Sequence, residues 1–74
     1  MKPTDAELEN RFIYHAPDET RKLKHAAVTA AMLSLAKEIR DLTPAGRCQA
    51  VALTKLEEAR MWANAAIATD TGAV

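Results

Sequence analysis

The fold is decided by residues 28–44, VTAAMLSLAKEIRDLTP, in which apolar side chains recur at intervals of four and three. Five side chains form this stripe: Val28, Met32, Leu35, Ile39 and Leu42. Their period places them on one face of an α-helix, as in an a/d seam. The stripe continues a face that begins at Leu23 or Lys24. Because Asp18 suits the positive end of a helix, we expect a helix over about residues 18–42.

A further helix is expected to start where this one ends, because Thr43 is a good N-cap and Pro44 suits the first helical position. It should run over about residues 44–68, and so short a connection makes the two helices antiparallel neighbours. Its inward stripe consists of Leu53, Leu56, Ala63 and Ile67, joined by Ala52, Ala59 and Ala66. Arg60 lies at the edge of this stripe. Residues 69–74 are small and polar, and we expect them to fray.

The N-terminal residues predict a short helix followed by an extended arm. Thr4 and Glu7 have the spacing of a capping box, so a helix should run over about residues 4–11. Residues 12–17, FIYHAP, contain aromatic and β-branched side chains and end in proline, which pushes the preceding residue out of helical geometry. We interpret them as an ordered extended arm.

The composition favours an all-α fold. Sixteen of the 74 residues are alanine, the best helix former, and only two are glycine. We therefore predict a single helical-hairpin domain over residues 1–74. It should consist of a short N-terminal helix and an extended arm, followed by an antiparallel two-helix hairpin that assembles as a homo-oligomer.

The expectation of an oligomer comes from the size of the chain, since 74 residues build only a small core. Cys48 is the only cysteine, so an internal disulfide is excluded, and no paired ligand spacing indicates a metal. A second stripe on the last helix offers an interface: Val51, Lys55, Glu58, Trp62 and Ala65. Aromatic anchors beside charges are typical of subunit interfaces, which marks Val51 and Trp62. The alternative is that Trp62 folds over the N-terminal arm.

The charge balance limits the classes of partner. Ten basic and ten acidic residues give a formal net charge of zero, whereas duplex nucleic-acid binders carry a basic excess. No segment is apolar over the length of a membrane span, and the N-terminus lacks the apolar stretch of a secretory signal. We therefore expect a cytoplasmic protein that has no cofactor and binds neither a membrane nor duplex nucleic acid.

No group of residues in the sequence predicts catalysis. Glu57 and Glu58 are neighbours on a helix, so their side chains diverge by about 100°. Cys48 follows Arg47 near a helix N-terminus, which favours the thiolate, but no positioned base accompanies it. We interpret His25 as a surface residue of its helix. The sequence therefore predicts neither an enzyme nor a metal site.

The arm carries the residues best suited to binding a small nucleotide. Tyr14 and His15 lie on the extended segment, where an aromatic ring can stack on a base. The densest cationic cluster in the chain lies nearby: Arg11, Arg21, Lys22 and Lys24. A ring beside several cations can bind a compact, doubly charged nucleotide. The alternative is that Phe12 and Tyr14 pack as core and that residues 21–24 form a solvated turn.

Three stretches resemble a known family: residues 10–17, NRFIYHAP; residues 44–47, PAGR; and residues 52–68, ALTKLEEARMWANAAIA. They are similar to the small phage anti-CBASS sponge proteins, whose hairpin domain is shared with a class of anti-Thoeris sponges. The last stretch, with Trp62 and Asn64 in register, is the specific part of the resemblance.

The resemblance implies a compact homohexamer that captures cyclic dinucleotides in pockets between protomers. It also implies separate pockets for cyclic trinucleotides in some members. Such a sponge acts in the cytoplasm of the infected bacterial host, where it starves the effector that the defence system activates. This task needs tight binding and no turnover.

Individual residues carry over from the family by position. Tyr14 matches the base-stacking tyrosine. Thr29 falls where relatives often place a basic residue one turn into the second helix, and its hydroxyl can still donate to a phosphate. Thr69 stands where relatives often have an arginine, which the resemblance connects with trinucleotide pockets. These departures leave open a different signal, such as a cyclic ADP-ribose isomer made by TIR-type defence enzymes. An adaptor that binds a host factor through the Trp62 face is the alternative from another class.

Overall fold

The computed structural model describes residues 2–70, most of which lie in three helices. The helices are α1 (Asp5–Phe12), α2 (Glu19–Leu42) and α3 (Arg47–Ala68). No strand occurs in this range, and the predicted all-helical hairpin is confirmed. Within the same range, no helix is both long enough and apolar enough to cross a membrane. The fraying predicted for residues 71–74 lies outside the described residues.

α1 is held by the capping box that its sequence predicts. The Thr4 hydroxyl accepts a hydrogen bond from the Glu7 amide at 3.1 Å, and the Glu7 carboxylate accepts one from the Thr4 amide at 3.1 Å. Two amide groups without helical partners are satisfied in this way. The helix ends where Ile13 becomes extended, with φ −85° and ψ 136°. The extended arm then leads to Asp18, whose carboxylate caps α2 by accepting from the Arg21 amide at 2.8 Å.

The connection between α2 and α3 differs from the prediction, in which Thr43 and Pro44 begin the last helix. Thr43 is instead the C-cap of α2, and its hydroxyl donates to the Ile39 carbonyl at 2.6 Å. α3 begins only at Arg47. Antiparallel helices need a link of about 2–5 residues to reverse the chain direction. A helix restarting at Pro44 would leave no room for that turn.

Gly46 completes the reversal. Its φ of 153° and ψ of −171° lie in a region that essentially only glycine occupies. The side-chain amide of Gln49 then closes the connection by donating to the carbonyls of Arg40 and Thr43, both at 3.1 Å. The turn therefore depends on a glycine and on a polar side chain in the first turn of α3.

α2 and α3 pack side by side, whereas α1 does not pack against either helix. Half-buried apolar side chains line the seam between them: Val28, Met32, Ala36, Ile39, Leu53, Leu56, Ala63 and Ile67. Several predicted inward residues are exposed instead: Leu23, Leu35, Leu42, Ala52, Ala59 and Ala66. A straight α-helix drifts by about 20° per seven residues relative to a strict heptad. Positions 28, 35 and 42 therefore turn progressively away from the seam.

One chain by itself leaves a large surface uncovered. It exposes 6200 Å², whereas a compact folded protein of 8.1 kDa exposes about 4500 Å². Its radius of gyration is 15.6 Å, against about 11 Å for a compact domain of this length. No side chain in the described range is fully buried. The hairpin therefore has a seam but no closed core of its own.

Candidate functional site

The arm and the two long helices enclose a groove of about 560 Å³, which we call the arm groove. Its lining comprises Arg11, Phe12, Ile13, Tyr14, His15 and Pro17 from α1 and the arm, His25 from α2, and Met61, Asn64, Ala65, Ala68 and Thr69 from the end of α3. Sites for small ligands typically have volumes of about 300–1000 Å³. The groove is therefore large enough for a small molecule.

Hydrogen bonds join α1 and the start of α2 to the two residues that follow α3, and join the arm to α1. Asn10 Nδ2 donates to the Thr69 carbonyl at 3.1 Å, and the His15 Nε2 atom lies 2.7 Å from the Asn10 carbonyl oxygen. A carbonyl only accepts, so His15 donates this bond. The Arg21 guanidinium donates to the Asp70 carbonyl. These contacts anchor the arm, and Thr69 and Asp70 do not fray as predicted.

Two aromatic rings face solvent, one on Phe12 at the end of α1 and one on Tyr14 in the arm. Phe12 is 78% exposed and Tyr14 is 84% exposed, so the alternative in which both rings pack as core is wrong for the single chain. The Arg11 guanidinium lies over the Phe12 ring, 5.8 Å from its centroid, which is a cation–π distance. The Tyr14 ring has a face available for stacking on a planar ligand.

The structure separates the predicted ligand residues. Three of them line the arm groove: Arg11, Tyr14 and His15. Lys22 and Lys24 are exposed on α2 and lie outside the groove, and Lys22 pairs with Glu19 at 3.3 Å. At about 100° of rotation per residue, Lys22 and Lys24 lie on opposite sides of His25 around the axis of α2. Both side chains are exposed to solvent. The cationic cluster seen in the sequence is therefore divided in space.

Thr29 lies in a second groove of about 400 Å³, which we call the seam groove. Its lining is mostly apolar: Thr29, Met32, Leu33, Ala36, Leu53, Leu56, Glu57 and Arg60. Arg60, expected at the edge of the inward stripe, is one of its two charged members. Within one chain, Thr29 and Tyr14 therefore do not share a site.

His25 is the residue that sequence reasoning misplaced. It is half-buried rather than a surface residue, and its Nδ1 atom lies 2.8 Å from Asn64 Oδ1 on α3. Spacing could have shown this, because His25 precedes Val28 by three residues and Met32 by seven. Those intervals place it on the inward face of α2. His25 and Asn64 thus join the two helices beside the arm groove.

The proposed interface stripe of α3 faces solvent in the single chain. Val51 is exposed and Trp62 is 75% exposed. Because so little of Trp62 is covered, the alternative in which it folds over the arm is wrong for the single chain. On the same stripe, Lys55 and Glu58 form an ion pair at 3.6 Å. The stripe therefore combines an uncovered indole ring with charges that are already paired.

The glutamate and cysteine side chains that could take part in catalysis do not lie in one site. Glu57 lines the seam groove, whereas Glu58 pairs with Lys55. Cys48 is an exposed free thiol near the other end of the hairpin. Across residues 2–70, no group of three or more His, Cys, Asp or Glu side chains could hold a metal ion.

Comparison with known proteins gives one family match. The family model described as "Acb2/Tad1, hairpin domain" matches residues 4–68, a range that includes all three helices and the arm. No curated protein matches the chain, and no solved structure does either.

Proposed function

This chain belongs to the Acb2/Tad1 hairpin-domain family of phage anti-defence sponges, and from that premise we propose that it binds cyclic oligonucleotide signals and holds them intact. Cyclic dinucleotides are the first ligand class and cyclic trinucleotides the second. Sequestration in the cytoplasm of the infected host would keep the CBASS effector inactive. The observation that carries the proposal is the Tyr14 ring, exposed on an anchored arm beside Arg11. The family is one of binding sponges rather than enzymes.

The chemistry of the arm groove supports a planar anionic ligand. Stacking of a base on an aromatic side chain contributes about 1–3 kcal/mol, and an anchored arm loses little freedom on binding. Arg11 offers a planar guanidinium to a phosphate. Lys22 and Lys24 add attraction for an anion without contacting the groove. His15 is committed to the arm by its bond to Asn10, so we propose that it positions Tyr14.

We propose further that the functional unit is a homo-oligomer, for which the family resemblance implies a hexamer. The solvent-accessible surface of one chain is larger than that of a compact protein of the same mass by about 1700 Å². A standard interface buries about 800 Å² on each partner, so the excess corresponds to roughly two interfaces per chain. Two interfaces on each copy allow a closed assembly larger than a dimer, whereas a dimer needs only one. Val51 and Trp62 are the proposed interface residues.

Association would also bring together residues that one chain keeps apart. Thr29 lines the seam groove and Tyr14 lines the arm groove. A ligand that contacts both residues is therefore expected between copies, with a base on Tyr14 of one copy and a phosphate near Thr29 of another. The Thr29 hydroxyl can donate to that phosphate but brings no charge.

A second candidate ligand is a cyclic ADP-ribose isomer of Thoeris defence. The matched family description names both Acb2 and Tad1. Thr29 and Thr69 put hydroxyls where relatives often have cations, and the Thr69 hydroxyl donates to the Ala65 carbonyl at 2.8 Å. Thr69 therefore offers neither a charge nor an uncommitted proton to the phosphates of a trinucleotide. A smaller, less charged signal suits such positions better.

Calorimetric titration tests the proposal and separates the two ligand classes. The panel contains cyclic dinucleotides, cyclic trinucleotides and cyclic ADP-ribose isomers, with linear dinucleotides as matched controls. We expect at least one cyclic dinucleotide to bind with a Kd at or below about 1 μM, which corresponds to about 8 kcal/mol. Tight binding of cyclic ADP-ribose isomers alone would favour the second candidate. Binding no tighter than about 1 mM across the panel, or about 4 kcal/mol, would remove both.

A further inference from the structure

His25 and Asn64 place a polar pair on the hairpin side of the arm groove. The two side chains are half-buried and meet through His25 Nδ1 and Asn64 Oδ1 at 2.8 Å. An amide oxygen only accepts, so Nδ1 of His25 carries a proton and donates it to Asn64. In a neutral imidazole the other nitrogen then holds a lone pair. With Nδ1 as the donor, the Nε2 atom of the neutral ring is a hydrogen-bond acceptor.

The contact with Asn64 uses only one of the two ring nitrogens of His25. The other, Nε2, makes no hydrogen bond to any residue between positions 2 and 70. Nor does it belong to the buried polar side-chain atoms that lack a partner, since none exists in that range. Solvent therefore reaches it, and His25 lines the arm groove together with Tyr14.

We propose that His25, oriented by Asn64, is a specificity-determining residue of the ligand site in the arm groove. Its Nε2 atom accepts a hydrogen bond from an N–H or O–H group of the ligand whose base stacks on Tyr14. This chemistry selects a base edge with an exocyclic amine or a ribose with a free hydroxyl. The inference rests on the proposed function, because it needs a cyclic oligonucleotide in this groove.

A purely structural role for His25 makes a different prediction. The bond between Nδ1 and Asn64 joins α2 to α3, so its loss would destabilise the hairpin and weaken every ligand by a similar factor. A ligand bond at Nε2 instead changes the ratio of affinities between ligands with and without the donor. The affinity ratio therefore distinguishes the two roles, whereas a single affinity does not.

Two substitutions of His25 distinguish the role of Nδ1 from the role of Nε2. His25→Asn retains a polar atom near the Nδ1 position, within reach of Asn64, but has nothing at the Nε2 position. His25→Gln extends an amide to the Nε2 position and offers an accepting oxygen there. Asparagine and histidine have similar helix propensities and glutamine has a better one, so α2 should form in both variants. Circular dichroism and thermal melting verify this.

The experiment measures the Kd of the full chain by calorimetry for three probes. These are cyclic diadenylate, its counterpart with the exocyclic amines replaced by oxygen, and its 2′-deoxy counterpart. We expect the wild-type protein to bind cyclic diadenylate about tenfold more tightly than one of the two analogues, since a lost hydrogen bond leaves an unpaired polar group. Weaker binding of the first analogue would identify the exocyclic amine of the base as the donor to His25. Weaker binding of the second would identify the ribose hydroxyl as that donor.

His25→Asn should abolish that discrimination, whereas His25→Gln should retain it. The inference is overturned if His25→Asn keeps the wild-type ratio, or if the wild-type protein binds all three probes equally. In either case, a large loss of binding in Tyr14→Ala leaves the proposed function standing. If the wild-type protein binds no cyclic nucleotide at all, the proposed function and this inference fail together.

Discussion

Tyr14→Ala is expected to weaken binding of cyclic dinucleotides by between about fivefold and 150-fold, because base–aromatic stacking contributes about 1–3 kcal/mol. The ring is exposed and belongs to no core, so its removal should leave the fold intact. The lost affinity would then come from the ligand contact alone. Calorimetry with the tightest cyclic dinucleotide measures the effect, and the melting temperature verifies the fold.

Tyr14→Phe is the matched control for this substitution. It keeps the ring face and removes only the hydroxyl, so its Kd should stay within about threefold of the wild-type value if stacking is the main contact. Leu23→Ala removes another exposed apolar side chain, one outside the arm groove, and should change nothing. Wild-type affinity in Tyr14→Ala would show that the ligand binds elsewhere.

Trp62→Ala is expected to break the oligomer. Tryptophan is enriched among interface residues whose truncation to alanine costs about 2 kcal/mol or more of binding free energy. This corresponds to a roughly 30-fold loss of affinity at each contact. In a closed assembly the same contact repeats, so the losses accumulate around it. Native mass spectrometry should find the wild-type protein near 49 kDa, six times the mass of one 8.1 kDa chain, and the variant mainly as single chains.

Leu42→Ala is the control for the interface prediction, because Leu42 is 82% exposed and does not belong to the stripe of Val51 and Trp62. It should leave the assembly unchanged. Val51→Ala should have a smaller effect than Trp62→Ala, because it removes less apolar surface. A wild-type protein that is monomeric at micromolar concentration would contradict the prediction. An indole left in solvent would then favour the adaptor hypothesis.

Local chemistry was enough to predict the helices but not the connection between α2 and α3. The capping box of Thr4 and Glu7 involves only neighbours in sequence, and the structure contains it. The start of α3 depends on how much chain an antiparallel reversal needs, which is a property of two helices together. Gly46, with its positive φ, marked the true boundary, whereas Thr43 and Pro44 resembled a helix start.

The candidate site was predictable where it lies on the arm and unpredictable where it lies on the helices. Tyr14 stood out because an aromatic residue on an extended segment has no helical face to pack. The lysines of α2 are close in sequence to the arm, but helical rotation directs them away from the groove. The inward position of His25 follows from its spacing to Val28 and Met32, but its contact with Asn64 does not, because that contact exists only when α2 and α3 lie side by side. Their pairing is a tertiary property.

Recovery of intact ligand from the protein tests the central claim most directly. The protein is mixed with slightly less than one equivalent per site of its tightest cyclic nucleotide, incubated, and passed through a membrane that retains protein. The filtrate should contain almost no ligand, and heat denaturation of the retained protein should release the cyclic nucleotide unchanged and in full. Free ligand in the first filtrate, or linear products after denaturation, would contradict sequestration without cleavage.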